Sequence, residues 1–194
     1  IIKKNSITGI LGSTGSGKTT LVSIISGLII PSRGHLFIDN EKLNSENVGA
    51  WQSKISFVPQ ETIIVDGSIA DNITMVNNDN IDSQKLIESM KIAKLEKFIP
   101  YLNSAEIIGE RGVKISGGER QRIGLARAIY DDKEVIILDE PFSALDKKTG
   151  KLILSNIIKY KKFTILIVTH DKFIVPFCDK IITLESGLLK NIKS

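Results

Sequence analysis

The chain has 194 residues, with 26 Lys+Arg against 22 Asp+Glu, a formal charge of +4, and 42% hydrophobic and 25% charged residues. That composition describes a globular domain with one sizeable core and excludes disorder, while Gly 15, Pro 5 and a single Cys exclude collagen-like, coiled-coil and disulfide-rich classes. One thiol makes no internal bridge, so a reducing compartment is expected, and Cys178, at the end of the apolar stretch from Ile174, reads as a small core residue rather than a nucleophile. No apolar run approaches the roughly 18 residues of a membrane helix. The Lys159, Lys161 and Lys162 cluster reads as a solvated face, which leaves nucleic acid without support. The chain opens at Ile1 with neither an initiator Met nor a signal pattern, and is expected to be a piece of a longer polypeptide.

Four β-branched runs end abruptly in small or polar residues: Ile7 to Leu11 before Gly12, Ile55 to Val58 before Pro59-Gln60, Val135 to Leu138 before Asp139, and Thr164 to Val168 before Thr169-His170. Continuous apolar strands suit a sheet covered on both faces. After the first run, Leu21, Ile24, Ile25 and Leu28 mark one face of a helix punctuated by Gly27 and Pro31. Gly34 to Asp39 reads as a short strand and turn near the sheet edge. His35 is expected on that strand's face, and Trp51 as an edge or core contact. The spacing of Leu86, Ile87, Met90 and Ala93 predicts a helix over Ser83 to Phe98, capped by Asp82 or Ser83. Strand–helix alternation argues for a parallel α/β sheet, whereas 60–129 holds helices without an evident strand and is expected to form an inserted helical subdomain. The core would comprise 1–59 and 130–194. Lys147 and Lys148 read as an exposed helix start.

Three motifs carry chemistry. Gly12-Ser13-Thr14-Gly15-Ser16-Gly17-Lys18-Thr19, followed by Thr20, fits G-x-x-x-x-G-K-[ST] between a buried strand and an amphipathic helix. The glycines bring backbone N–H groups close to phosphate oxygens, and the helix N-terminus adds partial positive charge. Lys18 would contact the β- and γ-phosphates of a nucleotide, and Thr19 would place its hydroxyl on Mg²⁺. The bland alternative, an ordinary Gly-Ser turn, matches this pattern by chance in about one chain in a hundred of this length.

Asp139 and Glu140 follow an aliphatic strand, so they emerge at the carboxyl edge of the sheet, where α/β proteins place ligands. Such a pair can divide its work, Asp139 holding Mg²⁺ and Glu140 deprotonating an attacking water. Without the phosphate loop, Asp-Glu after a strand would read as a helix cap or an exposed turn. Ser116-Gly117-Gly118-Glu119 has the spacing of a capping box, which leaves unexplained two first-turn glycines costing about 1 kcal/mol each relative to Ala. Bare backbone there lets an anion approach. Two anion sites then either converge within the chain or serve nucleotides shared between two chains.

The phosphate loop, Gln60, Ile115 to Arg122, Val135 to Glu140, Ser143-Ala144-Leu145-Asp146 and His170 resemble, in order and rough spacing, the nucleotide-binding domain of ATP-binding cassette transporters. The resemblance covers nearly the whole chain. It implies a P-loop NTPase, RecA-like α/β core with a mainly parallel sheet and an inserted α-helical subdomain. It also implies ATP as substrate, Mg²⁺ as cofactor and ATP hydrolysis as the activity. The implied partner is a second nucleotide-binding domain, arranged head to tail so that each ATP lies between one chain's phosphate loop and the other's Ser116, Gly117, Gly118 and Glu119. By the same resemblance Gln60 touches Mg²⁺ and the attacking water, His170 contacts the γ-phosphate, and Ser143 to Asp146 cross the dimer interface.

Val65 to Ile73 and Ile108-Gly109-Glu110-Arg111-Gly112 resemble exporter segments, the latter the loop that meets the membrane domain, although Glu106 and Ile107 depart from its usual start. Ile115 and Glu119 depart mildly from the commonest signature. The expected subgroup is an exporter with an N-terminally fused transmembrane domain, working at the cytoplasmic face of the membrane and moving lipid, glycolipid, peptide or drug, with lipid or glycolipid favoured. The alternatives are an importer ATPase, or a non-transport ATPase acting on nucleic acid or ribosomes. The adenine-stacking aromatic of the family lies before the phosphate loop, and residues 1–11 contain no Phe, Tyr or Trp. A version extended at its N-terminus is therefore expected to bind ATP more tightly and to melt higher, as calorimetric titration and thermal melts would show; equal affinity and equal melting temperature would contradict this.

Overall fold

The computed structural model describes residues 1–75, 81–104, 108 and 113–193. Two compact units divide the chain: the first comprises 1–57, 133–139 and 163–194, the second 58–132 and 140–162.

The first unit is built on strands β1 (Ile7–Leu11), β4 (Ile55–Val58), β5 (Val135–Asp139), β6 (Thr164–Thr169), β7 (Lys180–Glu185) and β8 (Leu188–Lys193), in the order β4-β5-β6-β1-β7-β8. Strands β5 and β6 are buried along their entire length. Both faces are covered, which is why they read as unbroken aliphatic runs rather than as alternating ones. Pairing of β1 with β6 and β7, and of β5 with β6, is parallel, whereas β7 and β8 are antiparallel. A separate antiparallel ribbon pairs β2 (Phe37–Ile38) with β3 (Glu41–Lys42), shorter than the strand expected over Gly34 to Asp39. His35 is exposed beside it and meets Phe37 edge-on at 6.4 Å between ring centroids.

Ile10, Val22, Ile55, Val135, Ile137, Leu166, Val168 and Leu184 form this unit's core. Helix α1 (Lys18–Ile25) buries Val22, with Leu21 and Ile25 packed partly against the core. Leu28 does not continue the stripe. The helix stops at Ser26, Gly27 takes φ +74°, and Leu28 is left 65% exposed. Trp51, on α2 (Val48–Gln52), packs on the same core and donates its indole N–H to the Ile25 carbonyl at 2.7 Å, satisfying an acceptor that the end of α1 leaves open. Gly9 is confined by Ile181, Ile174 and Cys178, since a Cβ there would stand 2.7 Å from Ile181 Cδ1. Burial, followed by the nearby Asp179 carboxylate, pushes the Cys178 thiol up to about 11, so it stays protonated at neutral pH.

The second unit contains α3 (Ile69–Thr74), α4 (Ser83–Ile92), α5 (Gly117–Asp131) and α6 (Lys147–Tyr160), with a 3₁₀ turn over Glu96–Tyr101. Asp82 caps α4 by accepting from the Lys85 amide. The helix expected to reach Phe98 ends earlier, because Lys94 takes φ +61° and the chain restarts as the 3₁₀ turn. Leu86, Met90 and Ala93 are nonetheless buried. Helix α6 starts at the exposed Lys147 and Lys148, and Lys159, Lys161 and Lys162 are exposed, with Lys161 paired to Asp132 at 2.7 Å. Among the described residues no helix is long and apolar enough to cross a membrane.

Ile137 is fully buried in the middle of β5. Ile137→Ala should cost about 2–5 kcal/mol in urea unfolding; a loss below about 1 kcal/mol would contradict burial on both faces.

Candidate functional site

Strand register assembles the first half of the site. Leu11 pairs with Thr169, and Val168 with Asp139. Gly12, Asp139 and His170 therefore stand at one carboxyl edge of the sheet, the place where open α/β sheets bind ligands. His170 is exposed there and Asp139 is 7% exposed.

The phosphate loop turns directly from β1 into α1. Gly15 and Gly17 take φ +78° and +93°, conformations that glycine reaches without strain. A Cβ on Gly12 would lie 2.7 Å from the Leu184 carbonyl, so that position is closed to larger residues by close approach. Lys18 is buried, and its ammonium donates to the carbonyls of Gly12 and Ser13, both at 2.9 Å. It is held under the loop, where a phosphate resting on the loop amides would meet it. Ser13, Thr14, Thr19 and Thr20 are exposed.

Two observations fit this loop to an anion. Helix α1 begins without a side-chain cap and without an acidic residue in its first turn, so its N-terminal amides and dipole face no charge of its own. Ser16 is 1% exposed and its buried hydroxyl has no hydrogen-bond partner among the described residues, whereas such buried groups normally have one. The oxygen donors of Thr19 and Asp139 suit Mg²⁺, which binds through one or two protein oxygens together with substrate phosphates. Among the described residues no group of three His, Cys, Asp or Glu forms a cage that would hold a metal alone.

A supporting element escapes the strand pattern of the sequence. The β7–β8 hairpin turns at Ser186-Gly187, with φ +50° and +77°, and the Gly187 amide donates to the Ser16 carbonyl at 3.0 Å. The tail beyond His170 thus buttresses the phosphate loop. Its signal was the Ser-Gly pair between two aliphatic runs, a hairpin signature.

The second unit holds Gln60, Ser116 to Glu119, Glu140 and Ser143 to Asp146. Gln60 is exposed, two residues past the end of β4. Ser116 caps α5 in a complete capping box. Its amide and hydroxyl both donate to Glu119 Oε2 at 2.7 Å, and its hydroxyl accepts from the Glu119 amide. The N-terminus of α5 thus already carries a carboxylate, unlike that of α1. Lys97 pairs with Glu119 from the side. Burial opposes ionisation of Glu119, but Lys97 together with the Ser116 amide and hydroxyl outweighs it and brings the carboxyl down to about 2.

The two glycines of this turn have different reasons. A Cβ on Gly118 would stand 2.9 Å from the Ala144 carbonyl and 3.0 Å from Leu145 Cδ2, whereas on Gly117 its nearest neighbour would be the Ala144 methyl at 3.6 Å. Packing against the Ser143–Asp146 turn therefore requires Gly118, and only Gly117 is left to be explained by an approaching ligand. Asp146 caps α6, accepting from the Thr149 amide at 3.0 Å and hydroxyl at 2.6 Å; the hydroxyl bond leads in holding its carboxyl below the usual range. Glu140 is 9% exposed and takes φ +46°, in the left-handed region.

With this geometry in view, comparison with known proteins decides the family. Residues 1–143 match the profile of the ABC transporter family. The chain belongs to that family. The cassette is 35% identical over 191 residues to the alpha-hemolysin translocation ATP-binding protein HlyB of Escherichia coli O157:H7, covering 97% of this chain and 27% of that protein. It is 33% identical to the toxin RTX-I translocation ATP-binding protein of Actinobacillus pleuropneumoniae, covering 96% of this chain and 27% of that protein. The chain thus spans about a quarter of the length of these relatives. Among solved structures, a bacterial Atm1-family ABC exporter with ATP bound superposes with a TM-score of 0.89 at 28% identity, over 100% of this chain and 34% of that one. The dimeric structure of MJ0796, a bacterial ABC transporter cassette, gives 0.83 at 28% identity, over 100% of this chain and 87% of that one. The fold is that of the ABC ATPases, and the cassette binds and hydrolyses ATP.

Gly109, Glu110, Arg111 and Gly112, expected to meet a membrane domain, lie outside the described residues, as do Glu106 and Ile107.

Because the Glu119 carboxyl is lowered from 4.5 to about 2 on folding, it stabilises the cassette above pH 4.5, and that contribution is lost as pH falls through about 2. The stability gap between wild type and Glu119→Gln should stay constant above about pH 5 and narrow towards about pH 2 in pH-dependent unfolding; a gap independent of pH would contradict the lowered pKa.

Proposed function

We propose that this cassette drives a membrane exporter, with a second cassette and a transmembrane domain as its partners. The observation that carries the ATPase half of this reading is the uncapped N-terminus of α1 beneath a phosphate loop that already holds the Lys18 ammonium. The export half rests on relatives whose names describe toxin translocation and on the Atm1-family exporter. This chain covers only 27% to 34% of those proteins, and in this reading the cargo is chosen by segments outside the cassette. No lipid or glycolipid preference follows from these residues.

Residues 12–17 and Lys18 bind the β- and γ-phosphates of ATP, with Thr19 and Thr20 at the start of α1. Thr19 and Asp139, with Gln60, would hold Mg²⁺, which would offset phosphate charge. Glu140 accepts a proton from the attacking water as its oxygen bonds to the γ-phosphorus and the bond to the β-phosphate oxygen breaks. His170 orients the γ-phosphate. Ser116, Gly117, Gly118 and Glu119 close on the nucleotide held by the partner cassette, and Ser143 to Asp146 line the interface between the two cassettes. Residues 109–112 meet the membrane domain. Two cassettes closing on ATP pull the transmembrane domain in one direction, and hydrolysis releases it.

Glu140→Gln keeps the size and hydrogen-bonding reach of the side chain but removes its basicity. It should retain ATP binding and ATP-dependent dimerisation while turnover falls by at least about a hundredfold, as measured by phosphate release and size-exclusion chromatography. Turnover within a few-fold of wild type would remove Glu140 from the role of base.

A further inference from the structure

Gln121 is 6% exposed and lies five residues beyond Ser116 on α5. A carboxamide offers two donor hydrogens and one acceptor oxygen, and here both ends of the group are engaged with one turn of chain. Its Nε2 donates to the Glu140 carbonyl at 3.3 Å and to Ser143 Oγ at 2.7 Å, while its Oε1 accepts from the Ala144 amide at 3.0 Å. Glu140 itself is in the left-handed region, which a non-glycine residue keeps only where its surroundings impose it. Two donors hold its carbonyl there, the Ser143 amide at 3.2 Å and Gln121. On the other side of the turn the bare Cα of Gly118 faces the Ala144 carbonyl. The turn between Glu140 and Ala144 is therefore tied to α5 through Gly118 and Gln121.

We propose that Gln121 is a positioning residue for hydrolysis: its carboxamide fixes the left-handed turn that aims Glu140, and ties that turn to the helix beginning at Ser116. The proposal rests on the reading of Glu140 as base. Hydrolysis is sensitive to placement, and a displacement of about 1 Å costs up to about a hundredfold in rate. Nucleotide binding depends on the phosphate loop and does not pass through Gln121. The role predicts a loss in kcat without a matching change in KM.

The test uses the full-length protein with Gln121→Met, which keeps the length of the side chain and removes all three hydrogen bonds. The expected result is a kcat lower by about ten- to a hundredfold, with KM for ATP within about twofold and an ATP-trapped dimer still forming in the Glu140→Gln background. Wild-type kcat, or a fall in kcat matched by an equal rise in KM, would overturn the proposal. If Gln121→Met does not fold, Gln121→Glu decides. A glutamate there accepts from the Ala144 amide but donates to the Glu140 carbonyl only when protonated, and burial raises its pKa. Its kcat deficit relative to wild type should shrink as pH falls from about 8 to about 6; no deficit, or one independent of pH, overturns the proposal. A Glu140→Gln protein that still turns over would instead sink the reading of Glu140 as base, so the two failures are separable.

Discussion

Parallel registry of β1, β6 and β5 is the constraint on which the phosphate-binding half of the molecule depends. These strands are buried almost throughout and mostly aliphatic, with Thr8, Gly9 and Thr164 the exceptions within them, and their remaining polar groups stand at or just past their carboxyl ends. Because all three run in the same direction, their carboxyl ends gather at one edge: the phosphate loop after Leu11, Asp139 as the last residue of β5 and His170 after Thr169. A slip of one residue in any of these pairings would displace the group at that strand's end by about 3.3 Å along the strand axis. The chemistry is thus located by hydrophobic burial, and the polar residues occupy the place that burial leaves to them.

The N-termini of α1 and α5 are electrostatically opposite. Helix α1 carries no cap and no acid, and keeps its amides for an incoming anion. Helix α5 carries its own carboxylate, Glu119, bonded to the Ser116 amide and hydroxyl and neutralised in turn by Lys97. An anion reaching α5 must displace or share those bonds, whereas one reaching α1 meets unsatisfied donors and the Ser16 hydroxyl.

Local chemistry explains which parts were legible in the sequence. The phosphate loop, the four aliphatic runs, the Asp82 cap and the capping box at Ser116 depend on residues within a few positions of one another, and each was found where its pattern stood. Leu28 was misplaced because Gly27 ended α1 a turn before the apolar pattern stopped. Phe98 fell outside α4 because Lys94 adopted a left-handed conformation that its residue type does not announce. The β7–β8 hairpin carries a weaker signal, since β7 is only half buried with an irregular alternation and the edge strand β8 is exposed.

What the sequence determined by itself was the α/β class, the phosphate loop and its supporting strand and helix, the acidic pair at a strand end, and the capping-box chemistry of Ser116 and Glu119. Only the tertiary structure decided that the Ser186-Gly187 turn braces the phosphate loop, that Gly118 is small because the Ala144 carbonyl needs the space, and that Gln121 clamps the turn below Glu140. The physical reason is range: caps, loops and strand patterns are set by neighbours along the chain, whereas a brace, a close approach and a buried carboxamide acquire meaning only when residues 19 to 171 positions apart are brought into contact.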